Sequence, residues 1–306
     1  MNIVVLIANG ARHHHFALTI MEAFPDENVL VAVEPKGNRP RRLATQRWAS
    51  SGRVVSARNR LMNQIFKSDR TRFSQERSAT ISRYFEWATA QFEEVVGDRI
   101  VATTQKGESI NDTPYVERLA KCAPDIIAVM GTGLIGRRII ELPRLAAINQ
   151  HAGLSPYYRG GGTNMWPIVN GEPQYCGVTV HRLTTGVDAG PIIHHGLPVI
   201  EHDDNAHSIN CKALLIGARL TVKAIRDVME GRGVAVPQWR RGRLYNNRDI
   251  NAWQYRRYHR AVDSGVIRNH VDRLQDGVVR FPERLLLYPE LDAEQYLPVG
   301  TGAKAL

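Results

Sequence analysis

Two periods of apolar spacing run along this chain, and their order predicts its architecture. Residues 3–8 form an unbroken β-prone apolar run closed by Asn9 and Gly10, the pattern of a strand buried on both faces. A helix is expected over residues 15–24, then a second strand over 28–33 that stops at Glu34, Pro35 and Gly37. Residues 36–97 break the rhythm. There Leu61, Ile65, Phe66, Ile81, Tyr84, Phe85, Ala88, Phe92 and Val95 recur at helical spacing while charges take the other faces. This predicts a helical insertion that ends at Gly97 and docks its stripe on the core or on a second subunit.

The alternation resumes with a short strand over 99–102 and a helix that Asp112 or Thr113 caps, with Pro114 near its first position. A buried strand follows over 125–130, a short helix over 136–142 and another strand over 146–149. Residues 177–183 and 191–200 alternate in β fashion as a hairpin-like pair. Asp204 or Asn205 then caps a long helix carrying Ile209, Ala213, Ile216, Leu220, Ala224 and Val228, stopped by Gly231. The fold class is therefore α/β: a Rossmann-like, mostly parallel sheet with helices on both faces, a helical insertion and a small C-terminal extension. The expected division is a catalytic domain over 1–203 and a long helix plus extension over 204–306.

Charge changes this picture in one place. The formal net charge is +10, and residues 36–83 hold thirteen Lys or Arg against Asp69 and Glu76, a local +11. Such a segment is either a solvated helical face or a phosphate-attracting surface. A second cluster of Arg240, Arg241, Arg243, Arg248, Arg256, Arg257 and Arg260 adds weight to phosphate. Cys122, Cys176 and Cys211 are widely spaced with no CxxC pair, which disfavours a disulfide framework and a structural zinc site and fits a reducing cytosol. The first apolar run is too short and lacks the charged lead of a signal peptide, and no later run reaches membrane-spanning length. The expectation is a cytoplasmic protein.

Ligands of such sheets bind beyond the carboxyl ends of the strands. A dinucleotide site would need GxGxxG after the first strand, but Gly10 is followed by Ala11, Arg12 and His13, which argues against NAD or FAD. The run His13, His14, His15 has no acidic neighbour and reads as helix-start or substrate-facing histidines rather than metal ligands, so no metal is expected. Asn149 and His151, two apart at a strand end, project to the same side if the extended geometry persists, and Asp188 lies between Gly186 and Gly190. Acyl transfer to an amine needs an oxyanion donor, a proton-moving group and something to orient it, and Asn, His and Asp fill these roles. By spacing alone, an Asx turn, a solvated histidine and a turn aspartate explain the same residues. No serine sits in a nucleophile elbow and no cysteine has a facing histidine, so direct amine attack is the simpler route.

At these positions the chain resembles the formyltransferase family, which includes glycinamide ribonucleotide transformylase, methionyl-tRNA formyltransferase and the sugar N-formyltransferases. The resemblance runs over 125–193 through AVMGTGLIGRRIIELP, AAINQHAGLSPYYRGGGTNMWPIVNGE and CGVTVHRLTTGVDAGPII. It implies 10-formyltetrahydrofolate as donor co-substrate, Asn149 on the formyl oxygen, His151 stabilising the oxyanion, and Asp188 holding His151 protonated and relaying the amine proton. It also implies Leu134, Ile135, Gly186 and Val187 along the pterin edge. The common x-Ser-Leu-Leu-Pro after the histidine is replaced by Ala152, Gly153, Leu154, Ser155 and Pro156.

For the acceptor, basic segments and Trp239, Tyr245 and Trp253 suit a nucleotide-linked amino sugar, phosphates meeting cations and rings stacking a base. Those aromatics fit a core equally. Nucleic acid is disfavoured as a partner because no match to the tRNA-type C-terminal barrel is evident, although a methionyl-tRNA, hydroxylamine or amino-acid acceptor stays open. A formyltetrahydrofolate hydrolase would use the same three residues, but such enzymes carry an N-terminal regulatory domain and this chain opens on its first strand. A non-catalytic nucleic-acid-binding protein is the third class. A homodimer is compatible with the apolar stripe of the insertion.

Overall fold

In a computed structural model of the chain, which describes residues 1–35 and 49–288, the elements run in the expected alternating order. They are β1 (Asn2–Ala8), α1 (Ala11–Ala23), β2 (Asn28–Glu34), α2 (Ala49–Ile65), α3 (Lys67–Val96), β3 (Ile100–Thr103), α4 (Thr113–Lys121), β4 (Ile126–Met130), α5 (Arg137–Ile140) and β5 (Ala146–His151). There follow β6 (Tyr158–Gly160), α6 (Trp166–Val169), β7 (Val178–Arg182), β8 (Ile192–Gly196), α7 (Ala206–Met229), β9 (Arg243–Tyr245), α8 (Ala252–Asp263) and α9 (Val266–Gln275). The insertion's residues 36–48, five of its cations included, lie outside the described residues.

Seven strands form one sheet in the order β3-β2-β1-β4-β5-β7-β8. The first five are parallel, and β7 and β8 are antiparallel additions beside β5. The continuous apolar run in β1 has its physical cause in two cores. Ile3, Val5 and Ile7 pack with α1, α3 and α7, whereas Val4 and Leu6 pack with Ile110, Tyr115 and Leu119 around α4 on the opposite face. A strand covered on both sides leaves no position for a polar residue.

Helix α1 begins four residues before the expected His15. Gly10, at φ 132°, turns the chain, and its carbonyl accepts from the amides of His13 and His14. The three histidines consequently diverge around the first turn. His14 stacks on Phe92 at 4.4 Å and bonds Asn9, His15 lies against Phe85 and Trp87, and His13 lies by Gly131. Helix α7 is capped as expected: the Asn205 side chain accepts from the amides of His207 and Ser208, worth about 1 kcal/mol. The boundary expected before residue 204 thus precedes a helix whose Leu214, Ala218, Leu220 and Ile225 share the sheet's own core.

The insertion docks within the chain. Phe85, Ala88, Phe92 and Val96 of α3 are buried against α1, while Val95 is exposed. Further up α3, Phe73 stacks on Tyr255 of α8 at 4.1 Å, and Asp69 pairs with Arg256. Asn63 of α2 accepts from the backbone of Ala252. A third core joins α8 and α9 to Tyr157, Tyr158, Trp166 and Ile168, and the two-stranded β6–β9 sheet ties the C-terminal segment to the turn after β5. Among the described residues no helix is long and apolar enough to cross a membrane.

Candidate functional site

The pleat of β5 decides which side chains meet. Ile148 lies in the core under α7, and Gln150 donates to the Leu214 carbonyl of α7 at 3.1 Å. Asn149 and His151 therefore share the other face. Where the parallel part of the sheet ends, β7 lies antiparallel to β5 with His181 opposite Asn149 and Thr179 opposite His151. The loop after β7 then brings Asp188 against the same face.

Asp188 is held from three directions. One carboxylate oxygen lies 3.3 Å from His151 Nδ1 and accepts from the Gly160 amide at 2.9 Å, while the other lies 3.7 Å from His181 Nε2. Its own φ of 44° is left-handed, a conformation that aspartate tolerates better than most residues and that costs roughly 1–3 kcal/mol when imposed by its surroundings. Burial alone would raise this carboxyl, but His151, His181 and the Gly160 amide outweigh it and hold it well below the usual carboxylate range.

His151 is buried, with Nε2 donating to the Tyr158 carbonyl at 3.1 Å and Nδ1 facing Asp188. Both ring nitrogens thus look at oxygens, an arrangement that only the imidazolium satisfies completely. Burial nevertheless pushes its pKa below the ordinary value, with Asp188 opposing. Removing water and supplying a carboxylate pull in opposite directions on one proton, which leaves the imidazolium dependent on Asp188.

His181 is a neighbour of the site that the sequence reading does not include. Its Nδ1 donates to the Arg182 carbonyl at 2.8 Å, and its Nε2 lies between the Asn149 amide nitrogen at 3.1 Å and Asp188 at 3.7 Å. The neutral Nδ1–H tautomer accepts one N–H of Asn149 and leaves the second for an incoming oxygen, while the imidazolium turns its Nε2–H toward Asp188. The sequence offers little hint beyond a histidine on a strand; its pairing with Asn149 depends on strand register.

Two further contacts fix the loop. The Ser155 hydroxyl and the Gln238 side chain both donate to the Asp188 carbonyl, at 3.3 and 2.8 Å, and Gln238 also donates to the Gly190 carbonyl at 3.0 Å. Gly160, at φ 92°, could not carry a Cβ without meeting the Tyr245 carbonyl, so the amide that faces Asp188 requires glycine.

Leu134 is 73% exposed on the loop after β4. That loop is clamped by Asn111, which donates to the Leu134 carbonyl at 2.8 Å and accepts from the Gly136 amide at 2.6 Å. Ile135 packs on the same core as Leu183, at the root of the Gly186–Val187 loop, so both loops rise from one face of the sheet. Gly186 is exposed, and the Val187 carbonyl accepts from Arg159 at 3.4 Å.

The aromatics considered for base stacking are engaged internally. Tyr245 stacks between Tyr158 and Trp166, Trp253 lies against Phe66, and Trp239 against Tyr157. Burial pushes the Cys176 thiol up and the Cys211 thiol up to about 11, so neither is a ready thiolate. Among the described residues no group of three His, Cys, Asp or Glu could hold a metal ion.

The family model for formyl transferases matches residues 1–225. A methionyl-tRNA formyltransferase of Agathobacter rectalis is 34% identical over 130 residues, 42% of each chain, and one of Staphylococcus aureus is 34% identical over 132 residues, 43% of this chain and 42% of that one. The match thus spans about two-fifths of the length of these curated relatives. Among solved structures, a sugar N-formyltransferase of Shewanella sp. superimposes with a TM-score of 0.53 at 12% identity, covering 85% of this chain and 88% of that one. At such identity the likeness is one of fold.

Proposed function

The chain belongs to the formyl transferase family, and from that membership we propose that it moves a formyl group from 10-formyltetrahydrofolate to a primary amine at the carboxyl end of β5. The observation that carries this reading is the convergence of Asn149, His151 and Asp188 on one face, with every orienting contact made by the protein itself. The exposed Leu134 beside the Asn111-clamped backbone, and the Gly186–Val187 loop rising from the same face, suit the edge of a flat heterocycle.

In this mechanism the amine nitrogen attacks the formyl carbon, and the carbonyl electrons move onto oxygen. The free N–H of Asn149 meets that oxygen. His151 supplies positive charge beside it, and direct donation from His151 requires Nε2 to leave the Tyr158 carbonyl, a tightening ordinary for a site closing on substrate. Asp188 accepts the proton of the attacking nitrogen, directly or through water. The tetrahedral species collapses with cleavage of the bond to the folate nitrogen, which takes up a proton, giving the formamide and tetrahydrofolate.

For the acceptor we favour the amino group of a nucleotide-linked sugar; what supports it is unpaired cationic surface beside the Asp188 loop. A methionyl-tRNA acceptor is the second reading, favoured by the identity to the curated relatives. The test follows tetrahydrofolate release from 10-formyltetrahydrofolate with dTDP-, UDP- and GDP-linked amino sugars, with charged initiator tRNA, and with no amine. Release that depends on an amino sugar is expected. Dependence on tRNA alone would transfer the assignment to the second reading, amine-independent release would mean hydrolysis, and no release under any condition would overturn the activity.

A further inference from the structure

The loop that carries Asp188 has a second side. Val187 and Ala189, the neighbours of Asp188, line an open cavity of about 450 Å³ with Arg159, Gln238, Arg240, Arg241 and Leu244. Three guanidiniums meet there. Among the described residues none of them pairs with a carboxylate: Arg159 has only the Val187 carbonyl at 3.4 Å, and Arg240 lies over the Tyr157 ring at 5.6 Å. The Nε of Arg159 is buried with no hydrogen-bond partner.

Several arginines elsewhere are paired with acids. Arg243 is tied to Glu172 and the Tyr158 hydroxyl, Arg256 to Asp69, and Arg144 to Asp125. Asp188, whose two neighbours in sequence line the cavity, has its carboxylate already engaged by His151, His181 and Gly160. Gathering three like charges without a counter-charge raises their mutual energy, and an anion in the cavity relieves it. Guanidiniums meet phosphate oxygens bidentately, so several around one cavity select a polyanion with closely spaced tetrahedral groups.

We propose that this cavity binds the diphosphate of the acceptor, with Arg159, Arg240 and Arg241 as its ligands. The proposal rests on the formyl-transfer reading for what the diphosphate carries. Two of the three ligands lie between α7 and β9, in the segment that also supplies Gln238 to the Asp188 and Gly190 carbonyls. One stretch of chain thus orders the Asp188 loop and receives the phosphates beside it. Arg159 joins the two, since it lies on β6 between Tyr158, whose carbonyl meets His151, and Gly160, whose amide meets Asp188.

The experiment titrates the full chain and its R240A/R241A variant with sodium pyrophosphate, and separately with 5-formyltetrahydrofolate carrying one or three glutamates, at fixed ionic strength. Pyrophosphate is expected to bind the parent chain and to bind the variant about tenfold or more weakly, as loss of two charge-assisted contacts implies. Both folates should bind the variant unchanged. R240K/R241K should recover part of the affinity, because lysine keeps the charge and loses the bidentate fork. Equal pyrophosphate affinity in parent and variant, or none in the parent, overturns the proposal. So does a variant that loses only the extra affinity of the triglutamate, which would give the cavity to the donor's tail. If R240A/R241A melts early, R241E is titrated in its place. Pyrophosphate binding that depends on these arginines in a chain with no folate affinity leaves the cavity assigned while the formyl-transfer reading falls.

Discussion

The two sides of the Asp188 loop follow opposite physical designs. On one side the acid is half-buried and saturated: two histidines and an amide surround the carboxylate, and its backbone carbonyl is held by Ser155 and Gln238. On the other side, three guanidiniums line an open cavity with no carboxylate among the described residues to answer them. A saturated network is rigid and gains little from further ligands, so it suits chemistry that must be in place before substrate arrives. An unsaturated cluster gains most from a counter-ion and suits recognition. Substitutions on the first side should lower kcat, and those on the second should raise KM for the acceptor.

The sharpest way to break this contrast is Asp188→Ala or His151→Ala. Each should cut turnover by about two orders of magnitude or more, with the circular-dichroism melting curve still cooperative. Near-parental kcat in either would remove the proton-handling role. His181→Ala comes next: Asn149 loses its orienting acceptor and Asp188 a neighbouring imidazole, so kcat should fall by roughly tenfold with little change in folate affinity. A change confined to melting temperature would reduce His181 to a packing residue. Gln238→Leu straddles the two sides, because its side chain lines the cavity and also holds the loop. It should lower kcat and raise acceptor KM together by a few-fold; an effect on one parameter alone would show that Gln238 serves only one side of the loop.

The smallest effect concerns stability. Asp188 is held below its unfolded value, so its contribution is present above the usual carboxylate pKa of about 4 and is lost as pH falls toward the folded value. His151, also lowered, prefers to be neutral when buried and adds a destabilising pull of the same sign as pH falls below about 6.5. Urea unfolding midpoints should decline from pH 7 to pH 3, less steeply in Asp188→Asn. Parallel profiles would show that neither group is coupled to folding as described.

Much of this fold was legible because its signals are local. Continuous apolar runs at β1 and β4 mark strands covered on both faces, and Asn205 with Ser208 caps α7 where its pattern begins. The start of α1 was misplaced because Gly10, rather than a polar cap, makes the turn, and its three histidines find partners on other elements. The C-terminal segment was not foldable by inspection, since Trp239, Tyr245 and Trp253 pack against Tyr157, Trp166 and Phe66, rings far away in sequence.

At the site the division is similar. Two-residue spacing put Asn149 and His151 on one face, and the resemblance of residues 125–193 to the formyltransferases marked Asp188 as their companion. The first is a property of the pleat and the second of a family motif, and both lie in the sequence itself. That His181 faces Asn149, that Gly160 offers its amide to Asp188, and that Arg159 meets Arg240 and Arg241 across one cavity follow from antiparallel register and from a C-terminal segment folding back over β6. Such pairings join residues with no local relation, and only close packing in three dimensions selects them.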